Sequence, residues 1–397
     1  MFSYILRART PNTINMAKQP LIPDQDILSS IFPDIKGIEV ERCNVISNTF
    51  DTCTFSIKLD AEPRPGYPKH LLIRLEASGG RLAFVAALQQ TASSQLPRLV
   101  PSTLDVGNAM AKNGKQLEYS VTTFFDGTTT LDQVWNVLDF ENQQQLVDSV
   151  VDAIEKLQSL PAGDGIPGTP LSAKNPIGGP ELGCFSDIAQ FLGGVLRASA
   201  RNPHCTISSS TDGVVVQSAF NDVGRVELTN SDLDILRQSV VFCHGDLEPR
   251  NLLVKPAAGT GRAVTYELAA IIDWEMAGFF PFAYEYGIKD TYLGSSNLWF
   301  NWYSLFKSRT AHLLPEGEAH TKMIEALRVI TTSRQRNMTR NVGVRVQSRW
   351  IAREMLELSP DIRLGWVRKD EAADMGPYTK EDNEALELEV LKELGII

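Results

Sequence analysis

The sequence predicts an α+β protein with two lobes, a small sheet-rich lobe followed by a larger, mainly helical one. Two observations carry this prediction: apolar and polar residues alternate in segments of the first third of the chain, whereas apolar residues recur at helical spacing in most of its last third. Strands that come first and helices that come later are typical of the α+β class. The predicted division is a flexible leader at 1–23, an N-terminal lobe at 24–126 and a C-terminal lobe at 127–397.

The predicted N-terminal lobe contains three strands and one helix. Segments 53–59 and 117–125 alternate as half-buried strands do, and segment 70–75 is a more apolar strand. A helical stretch at 81–90 lies between the strands at 70–75 and 117–125. Asp126-Gly127 is a natural turn, and because the period of the apolar residues changes after it, we end the lobe there.

The predicted C-terminal lobe begins with a helix for which Asp139 is a suitable N-cap. Residues 161–183 are dense in glycine and proline and therefore predict a loop. The other elements follow from their apolar patterns: strands at 240–243, 252–254 and 269–272, and helices at 298–306, 318–331, 342–358 and 380–394.

Composition and charge restrict the classes of function. The 397 residues carry a formal charge of −10, which repels nucleic acid and anionic membranes, because both bind clustered Lys and Arg. No apolar run is long enough to cross a bilayer. The five cysteines are widely spaced and never form a C-x-x-C pair, so we expect neither a disulfide framework nor a structural zinc site. A reducing, cytoplasmic location fits best.

The first twenty residues allow two interpretations. They contain Arg7, Arg9 and Lys18 and no acidic residue, which is the composition of a mitochondrial transit peptide. The alternative is a disordered leader, or an upstream extension of a chain that begins at Met16. A mitochondrial location is therefore a second prediction beside the cytoplasmic one.

The segment HGDLEPRN, residues 244–251, lies between two apolar strands. Its histidine, aspartate and asparagine have the spacing H-x-D-x-x-x-x-N that catalytic loops for phosphoryl transfer use. A carboxylate in the position of Asp246 reaches the proton of an acceptor hydroxyl, and an amide oxygen in the position of Asn251 coordinates a metal ion beside it. The alternative is a polar β-hairpin whose Asp and Asn only satisfy turn amides.

A second carboxylate, Asp273, ends the next apolar strand in the segment AAIIDWEMAG, residues 269–278. A charged side chain at the end of four apolar residues is costly unless it is paired or bound to metal. Protein kinases hold Mg²⁺ with an aspartate in this position. Because one hairpin separates the two segments, their polar side chains are expected to lie together.

HGDLEPRNLLV and IIDWEMAGFFPFAYEYG closely resemble the aminoglycoside phosphotransferase and choline kinase superfamily, and in particular the branch of it that is common in filamentous fungi. The resemblance covers roughly residues 40–300. It implies a bilobal protein-kinase-like fold with the nucleotide between the lobes. It also implies that Asp246 is the catalytic base or orients the hydroxyl, that Asn251 and Asp273 bind Mg²⁺, and that His244 braces the loop.

The resemblance assigns further residues to the nucleotide. Arg74 occupies the place of the lysine that contacts the α- and β-phosphates, and arginine is a permanently charged, two-pronged donor to phosphate. An exposed strand arginine is the alternative. The side chains expected in the phosphate-covering turn are Ser47, Asn48 and Thr49. The residues expected in the hinge, where backbone groups contact adenine, are Thr123, Phe124 and Phe125.

Three features depart from the pattern of the superfamily. The phosphate-covering turn, residues 45–53, has no glycine, which makes close approach of its backbone to phosphate less expected. Phe84 stands where a helix glutamate normally pairs with the phosphate-binding cation. Glu76, two residues from Arg74, is a substitute partner, although strand geometry makes that pairing awkward. Glu248 replaces a His or Lys, and solvent exposure is the expected explanation. A raised pKa of Asp246 or attraction of a cationic acceptor is the alternative.

The acceptor is expected to bind in the helical lobe. The candidate residues are the acids Glu248, Glu275 and Glu285 and the aromatic residues Trp299 and Trp302. The acids suit a cationic acceptor. Hydrophobic core is the alternative for the aromatic residues.

The implied function is transfer of the γ-phosphoryl group of ATP, with Mg²⁺, to a hydroxyl of a small molecule such as an aminoglycoside or another metabolite. The alternative is an impaired or repurposed protein on the same fold that binds nucleotide or a metabolite without phosphoryl transfer. The missing helix glutamate favours this alternative.

Overall fold

The computed structural model describes residues 20–35, 38–162, 165–198, 203–257, 264–370, 376 and 378–397. Most of the predicted leader, residues 1–19, lies outside this range. The α-helices in the described residues are α1 (Gln25–Ile31), α2 (Arg81–Gln95), α3 (Leu131–Val134), α4 (Phe140–Gln158), α5 (Ile188–Ala198), α6 (Asn230–Gln238), α7 (Phe282–Tyr292), α8 (Phe300–Thr310), α9 (Glu318–Asn337), α10 (Val342–Arg353) and α11 (Lys380–Glu393).

The strands of the described residues are β1 (Cys43–Asn48), β2 (Thr52–Lys58), β3 (His70–Ala77), β4 (Thr103–Met110), β5 (Gln116–Thr123), β6 (Thr129–Thr130), β7 (Ile177–Gly179), β8 (Gly183–Phe185), β9 (Cys205–Ser210), β10 (Gly213–Ser218), β11 (Arg225–Thr229), β12 (Val240–Cys243), β13 (Leu252–Pro256), β14 (Tyr266–Ile271), β15 (Gly278–Pro281), β16 (Leu356–Leu358) and β17 (Trp366–Arg368).

The N-terminal region is built on one antiparallel sheet with the strand order β1-β2-β3-β5-β4. Alternate residues of its central strands, such as Phe55, Ile73 and Val121, are fully buried, because a period of two places them on one face. That face packs on helix α1 and forms a core of its own. Helix α2 instead contributes Phe84 and Leu88 to the larger core of the C-terminal region.

Two small sheets of the C-terminal region position the motif segments. Strand β12 ends immediately before His244 and pairs with β15, and β14 ends two residues before Asp273 and pairs with β13. Strand β6, the first strand after the N-terminal sheet, also pairs with β13. The connection between the two regions is therefore hydrogen-bonded to the strand that follows the HGDLEPRN segment.

The predicted α+β class is confirmed, because a sheet-rich N-terminal region precedes a largely helical C-terminal one. The three predicted N-terminal strands and the predicted helix at 81–90 correspond to β2, β3, β5 and α2. Asp139 is the N-cap of α4, as predicted, and its side chain accepts a hydrogen bond from the Asn142 N–H.

Two predicted segments differ from the structure. The predicted loop at 161–183 ends in strand β7, because Gly178 and Gly278 leave no space for a Cβ and let neighbouring strands approach closely. The predicted helix at 342–358 ends at Arg353, since Met355 adopts a left-handed conformation with φ 54° and the chain continues as β16. The sheet of β9, β10 and β11 was not predicted.

All five cysteines are free thiols, which agrees with the prediction of no disulfide framework. Within the described parts of the chain, no helix combines the length and the apolar character that crossing a membrane requires.

Candidate active site

The HGDLEPRN segment forms a tight loop between β12 and β13, with one 3-10 turn at Pro249–Asn251. Gly245 has φ +79°, which favours glycine, and a Cβ there would lie 2.5 Å from the Met276 carbonyl oxygen. The backbone of this loop therefore contacts the turn that follows Asp273.

Asp246 is almost completely buried and is held by two neighbours on its own loop. Arg250 Nη2 donates to both carboxylate oxygens at 2.8 and 2.6 Å, and Asn251 Nδ2 donates to Oδ2 at 2.9 Å. Burial raises the pKa of Asp246, and Arg250 opposes that effect while Glu248 adds to it. The orientation of the carboxylate is thus fixed by its own loop.

Arg250 was not singled out from the sequence. Besides pairing with Asp246, its Nη1 donates to the Ser296 carbonyl oxygen at 2.7 Å. The sequence did contain a signal for this residue, since Arg250 is a basic residue between the aspartate and the asparagine of the loop. Arg250 connects Asp246 to the segment that precedes helix α8.

His244 makes the contacts expected of a bracing residue. Its Nδ1 accepts from the Asp246 N–H at 3.2 Å and its Nε2 lies 3.0 Å from the Ile272 carbonyl oxygen, where it donates in the neutral tautomer that this pair of contacts requires. Burial lowers the pKa of His244 to about 3. The ring joins the catalytic loop to the strand end before Asp273 and has no free nitrogen to act as a base.

Asp273 lies beside this loop, in a left-handed conformation with φ 67° and ψ 61°. The Ile272 N–H donates to the Asn251 carbonyl oxygen at 2.9 Å. A backbone hydrogen bond therefore joins Asn251, one candidate metal ligand, to the residue that precedes Asp273, the other. Burial raises the pKa of Asp273 to about 7, with Glu275 acting in the same direction and Arg74 opposing it. The two segments therefore converge, as their sequence spacing predicted.

The donor atoms fit a magnesium ion. Asp273 supplies a carboxylate, and Asn251 uses its amide nitrogen toward Asp246, which leaves its amide oxygen as the donor to a cation. Carboxylate and amide oxygens are the ligands that Mg²⁺ prefers in proteins.

Arg74 lies on β3 and points toward the same place, with Nη1 3.8 Å from Asp273 Oδ1. Its Nε donates to Glu76 at 2.8 Å and its Nη2 to Glu275 at 2.7 Å. The expectation that Glu76 pairs awkwardly is wrong, because residues two apart in a strand lie on the same face. Arg81 at the start of α2 joins both acids and was missed by the sequence analysis.

Thr123, Phe124 and Phe125 lie where the N-terminal sheet ends and the chain passes to β6. The Thr123 N–H donates to the Ser102 carbonyl oxygen, and its Oγ1 accepts from the Ser102 N–H. Phe124 stacks on His70 with ring centres 3.9 Å apart. The segment therefore links the N-terminal sheet to the first strand of the C-terminal region.

Ser47, Asn48 and Thr49 lie at the turn between β1 and β2. Thr49 Oγ1 accepts from the N–H groups of Asp51 and Thr52, and Asn48 Nδ2 donates to the Leu21 carbonyl oxygen. Ser47 lies at an irregularity in the pairing of β1 with β2. Two of these three side chains are therefore engaged within the N-terminal region.

Three of the predicted acceptor residues, Glu248, Glu285 and Trp302, are buried. Glu248 is buried and pairs with Lys289 at 2.8 Å, so the expectation that it is exposed is wrong. Glu285 is also buried and accepts from the Gly245 N–H at 3.1 Å. Trp302 is fully buried edge-on to Trp135, in the core that half-buried Trp299 packs against. The core alternative therefore describes these aromatic residues better.

The family of the chain is shown by a match of residues 70–304 to the model of the phosphotransferase enzyme family. The chain belongs to this family, whose enzymes transfer phosphoryl groups to small molecules. No curated protein matches the chain.

Solved structures with similar chains include several phosphotransferases. The GDP complex of wild-type aminoglycoside 2'-phosphotransferase-IIIa is 14% identical, with 93% of this chain and 96% of that chain covered and a TM-score of 0.39. The streptomycin–ATP–APH(2")-IIa ternary complex is 10% identical, with 95% and 97% covered and a TM-score of 0.41. Spectinomycin phosphotransferase, APH(9)-Ia, in complex with ADP and spectinomycin is 10% identical, with 77% and 88% covered and a TM-score of 0.36.

Proposed function

We propose that this protein transfers the γ-phosphoryl group of ATP, with Mg²⁺, to a hydroxyl group of a small molecule. The observation that carries the proposal is the convergence of Asp246, Asn251 and Asp273 through the hydrogen bonds between their loops, with the cation of Arg74 beside Asp273. Phosphoryl transfer needs positioning and charge stabilisation more than covalent chemistry from the protein.

Each residue has a role that follows from its place. Asp246 orients the acceptor hydroxyl and accepts its proton, and Arg250 favours the ionised form of that carboxylate and fixes its orientation. Asn251 and Asp273 would hold Mg²⁺, which when bound neutralises charge on the phosphates. Arg74 binds phosphate oxygens, and the backbone of Thr123, Phe124 and Phe125 contacts the base. On this proposal residues 24–126 form the nucleotide lobe and 127–397 the catalytic and acceptor lobe, in the fungal-type branch of the superfamily.

The alternative of an impaired protein rested on the missing helix glutamate. Arg74 nevertheless has two carboxylate partners, Glu76 and Glu275. The argument for a cationic acceptor rested on Glu248, Glu275 and Glu285, which instead contact Lys289, two arginines and a backbone N–H. The proposal therefore covers hydroxyl-bearing acceptors of either charge.

The test incubates the protein with ATP, Mg²⁺ and a fractionated metabolite extract and detects phosphorylated products by mass spectrometry. Asp246→Asn is the matched control, because it keeps the size of the side chain and removes the proton acceptor. We expect the variant to bind nucleotide and to lose transfer by ~10²- to 10⁴-fold. Full transfer by the variant would contradict the mechanism, and a product that carries a nucleotidyl group would contradict the reaction type.

A further inference from the structure

Four charged side chains form a closed ring where the N-terminal sheet meets the turn after Asp273. Arg74 donates to Glu76 Oε1 at 2.8 Å and to Glu275 Oε2 at 2.7 Å. Arg81 Nη2 donates to the same two oxygens at 2.7 and 2.9 Å. Each carboxylate thus bridges both arginines, and the ring as a whole carries no net charge.

The ring joins two regions of the chain through one residue. Arg74 and Glu76 lie on β3, and Arg81 is the first residue of α2. Glu275 alone comes from the C-terminal region, in the 3-10 turn Trp274–Met276 that follows Asp273. A change at Glu275 therefore affects how the phosphate-binding strand is held against the metal-binding turn.

The place of Arg81 is itself fixed by a buried acid on the neighbouring strand. Glu118, which faces Glu76 in the β3–β5 pairing, accepts hydrogen bonds from the N–H groups of Gly79, Gly80 and Leu82. These bonds lower the pKa of Glu118 against the opposing effect of burial. Because Glu118 holds the residues on either side of Arg81, the start of α2 stays next to Glu76.

The ring leaves one part of the Arg74 guanidinium available. Its Nε and Nη2 are taken by carboxylates, whereas Nη1 is directed at Asp273 Oδ1 across 3.8 Å. We propose that Glu275 and Arg81 are positioning residues, which hold Arg74 so that Nη1 meets the phosphates of a nucleotide bound beside Asp273. They replace the helix glutamate that this chain lacks. This inference rests on the proposed function.

The test separates phosphate binding from binding of the base. We would measure the dissociation constants of Mg²⁺–ADP and of adenosine, which lacks phosphate, by titration calorimetry with the full chain. Glu275→Gln keeps the size of the side chain and removes its charge, and it is expected to weaken ADP binding about tenfold and to leave adenosine unchanged. Glu181→Gln is the matched control, because Glu181 is 49% exposed and contacts Arg81 but not Arg74.

A second arm separates an effect on Arg74 from an effect on the metal. ADP is titrated again in EDTA, where the positioning role predicts the same loss for Glu275→Gln. A loss that occurs only with Mg²⁺, or an equal loss for adenosine, would overturn the inference. If Glu275→Gln does not fold, Arg81→Lys takes its place, because it keeps the charge but loses the two-pronged geometry, and the same pattern is expected.

The outcomes also distinguish this inference from the proposed function. Wild-type protein that transfers phosphate, together with a Glu275→Gln variant that binds ADP as tightly as the wild type, would overturn the positioning role alone. Wild-type protein that binds neither ADP nor ATP would overturn both.

Discussion

Two clusters of ion pairs flank the candidate site, and they differ in their exposure to solvent. In the ring around Arg74 the side chains are 8% to 30% exposed. On helix α7, Lys289 pairs with Glu248 of the HGDLEPRN loop, with 2% and 1% exposed, and the next residue, Asp290, pairs with Lys307, with 3% and 4% exposed. Of the two clusters, only the ring is partly accessible to solvent.

The buried cluster supports the loop from behind. Lys289 on α7 donates to Glu248 and also to the Leu247 carbonyl oxygen at 2.5 Å, and Glu285 on the same helix accepts from the Gly245 N–H. One face of α7 thus binds three residues around Asp246. The comparison teaches that an acid two residues from Asp246 in sequence is part of the buried scaffold, whereas Glu275, from the turn after Asp273, remains partly accessible to solvent.

The largest effect on stability is expected where a buried charge loses its partner. Lys289→Met leaves Glu248 buried and unpaired, and we expect the free energy of unfolding to fall by about 3–5 kcal/mol. Urea denaturation measures this change. In the double variant Glu248→Gln/Lys289→Met the buried charge is gone, and stability should recover in part. No recovery would mean that packing, and not charge, dominates there.

A second expected effect is a dependence of stability on pH through His244. The pKa of His244 is about 3 in the folded protein against 6.5 as its ordinary value, so the unfolded chain takes up the proton first as the pH falls. Stability is therefore lost from pH 6.5 downward, by about 2 kcal/mol at pH 5. Urea denaturation above pH 6.5 and at pH 5 measures the free energy of unfolding at each pH, and the His244→Asn variant is measured in the same way for comparison. An equal loss in the variant would assign the effect to other groups.

The smallest effect on stability is expected in the ring. Arg81→Gln removes one arginine that is 28% exposed, and we expect the free energy of unfolding to fall by about 1 kcal/mol or less, because solvent screens such pairs. Urea denaturation at low and high salt measures it, and the loss should shrink at high salt. A loss as large as that of Lys289→Met would remove the contrast between the two clusters.

Local patterns were enough to predict strands β2, β3, β5, β12, β13 and β14 and to place Asp246, Asn251 and Asp273 where such strands end, because periodicity and loop spacing are properties of short segments. They were not enough for Glu248 and Glu285, whose burial arises only when α7 packs behind the loop. The closure of the ring by Glu275 depends on a contact between residues 201 apart in sequence. Arg250 had a local signal, but its bond to Ser296 is again tertiary.

Gly245 restricts which substitutions the HGDLEPRN loop can accept. At Gly245 the loop and the turn after Asp273 lie so close that a Cβ would come within 2.5 Å of the Met276 carbonyl oxygen and 3.0 Å of the Met276 Cβ. Because packed segments do not deform freely, a larger residue at position 245 would push apart the two segments that carry Asp246 and Asp273. On the proposed function, a change of acceptor is therefore expected to leave this glycine in place and to alter other surfaces, such as the Ser296 segment that Arg250 contacts.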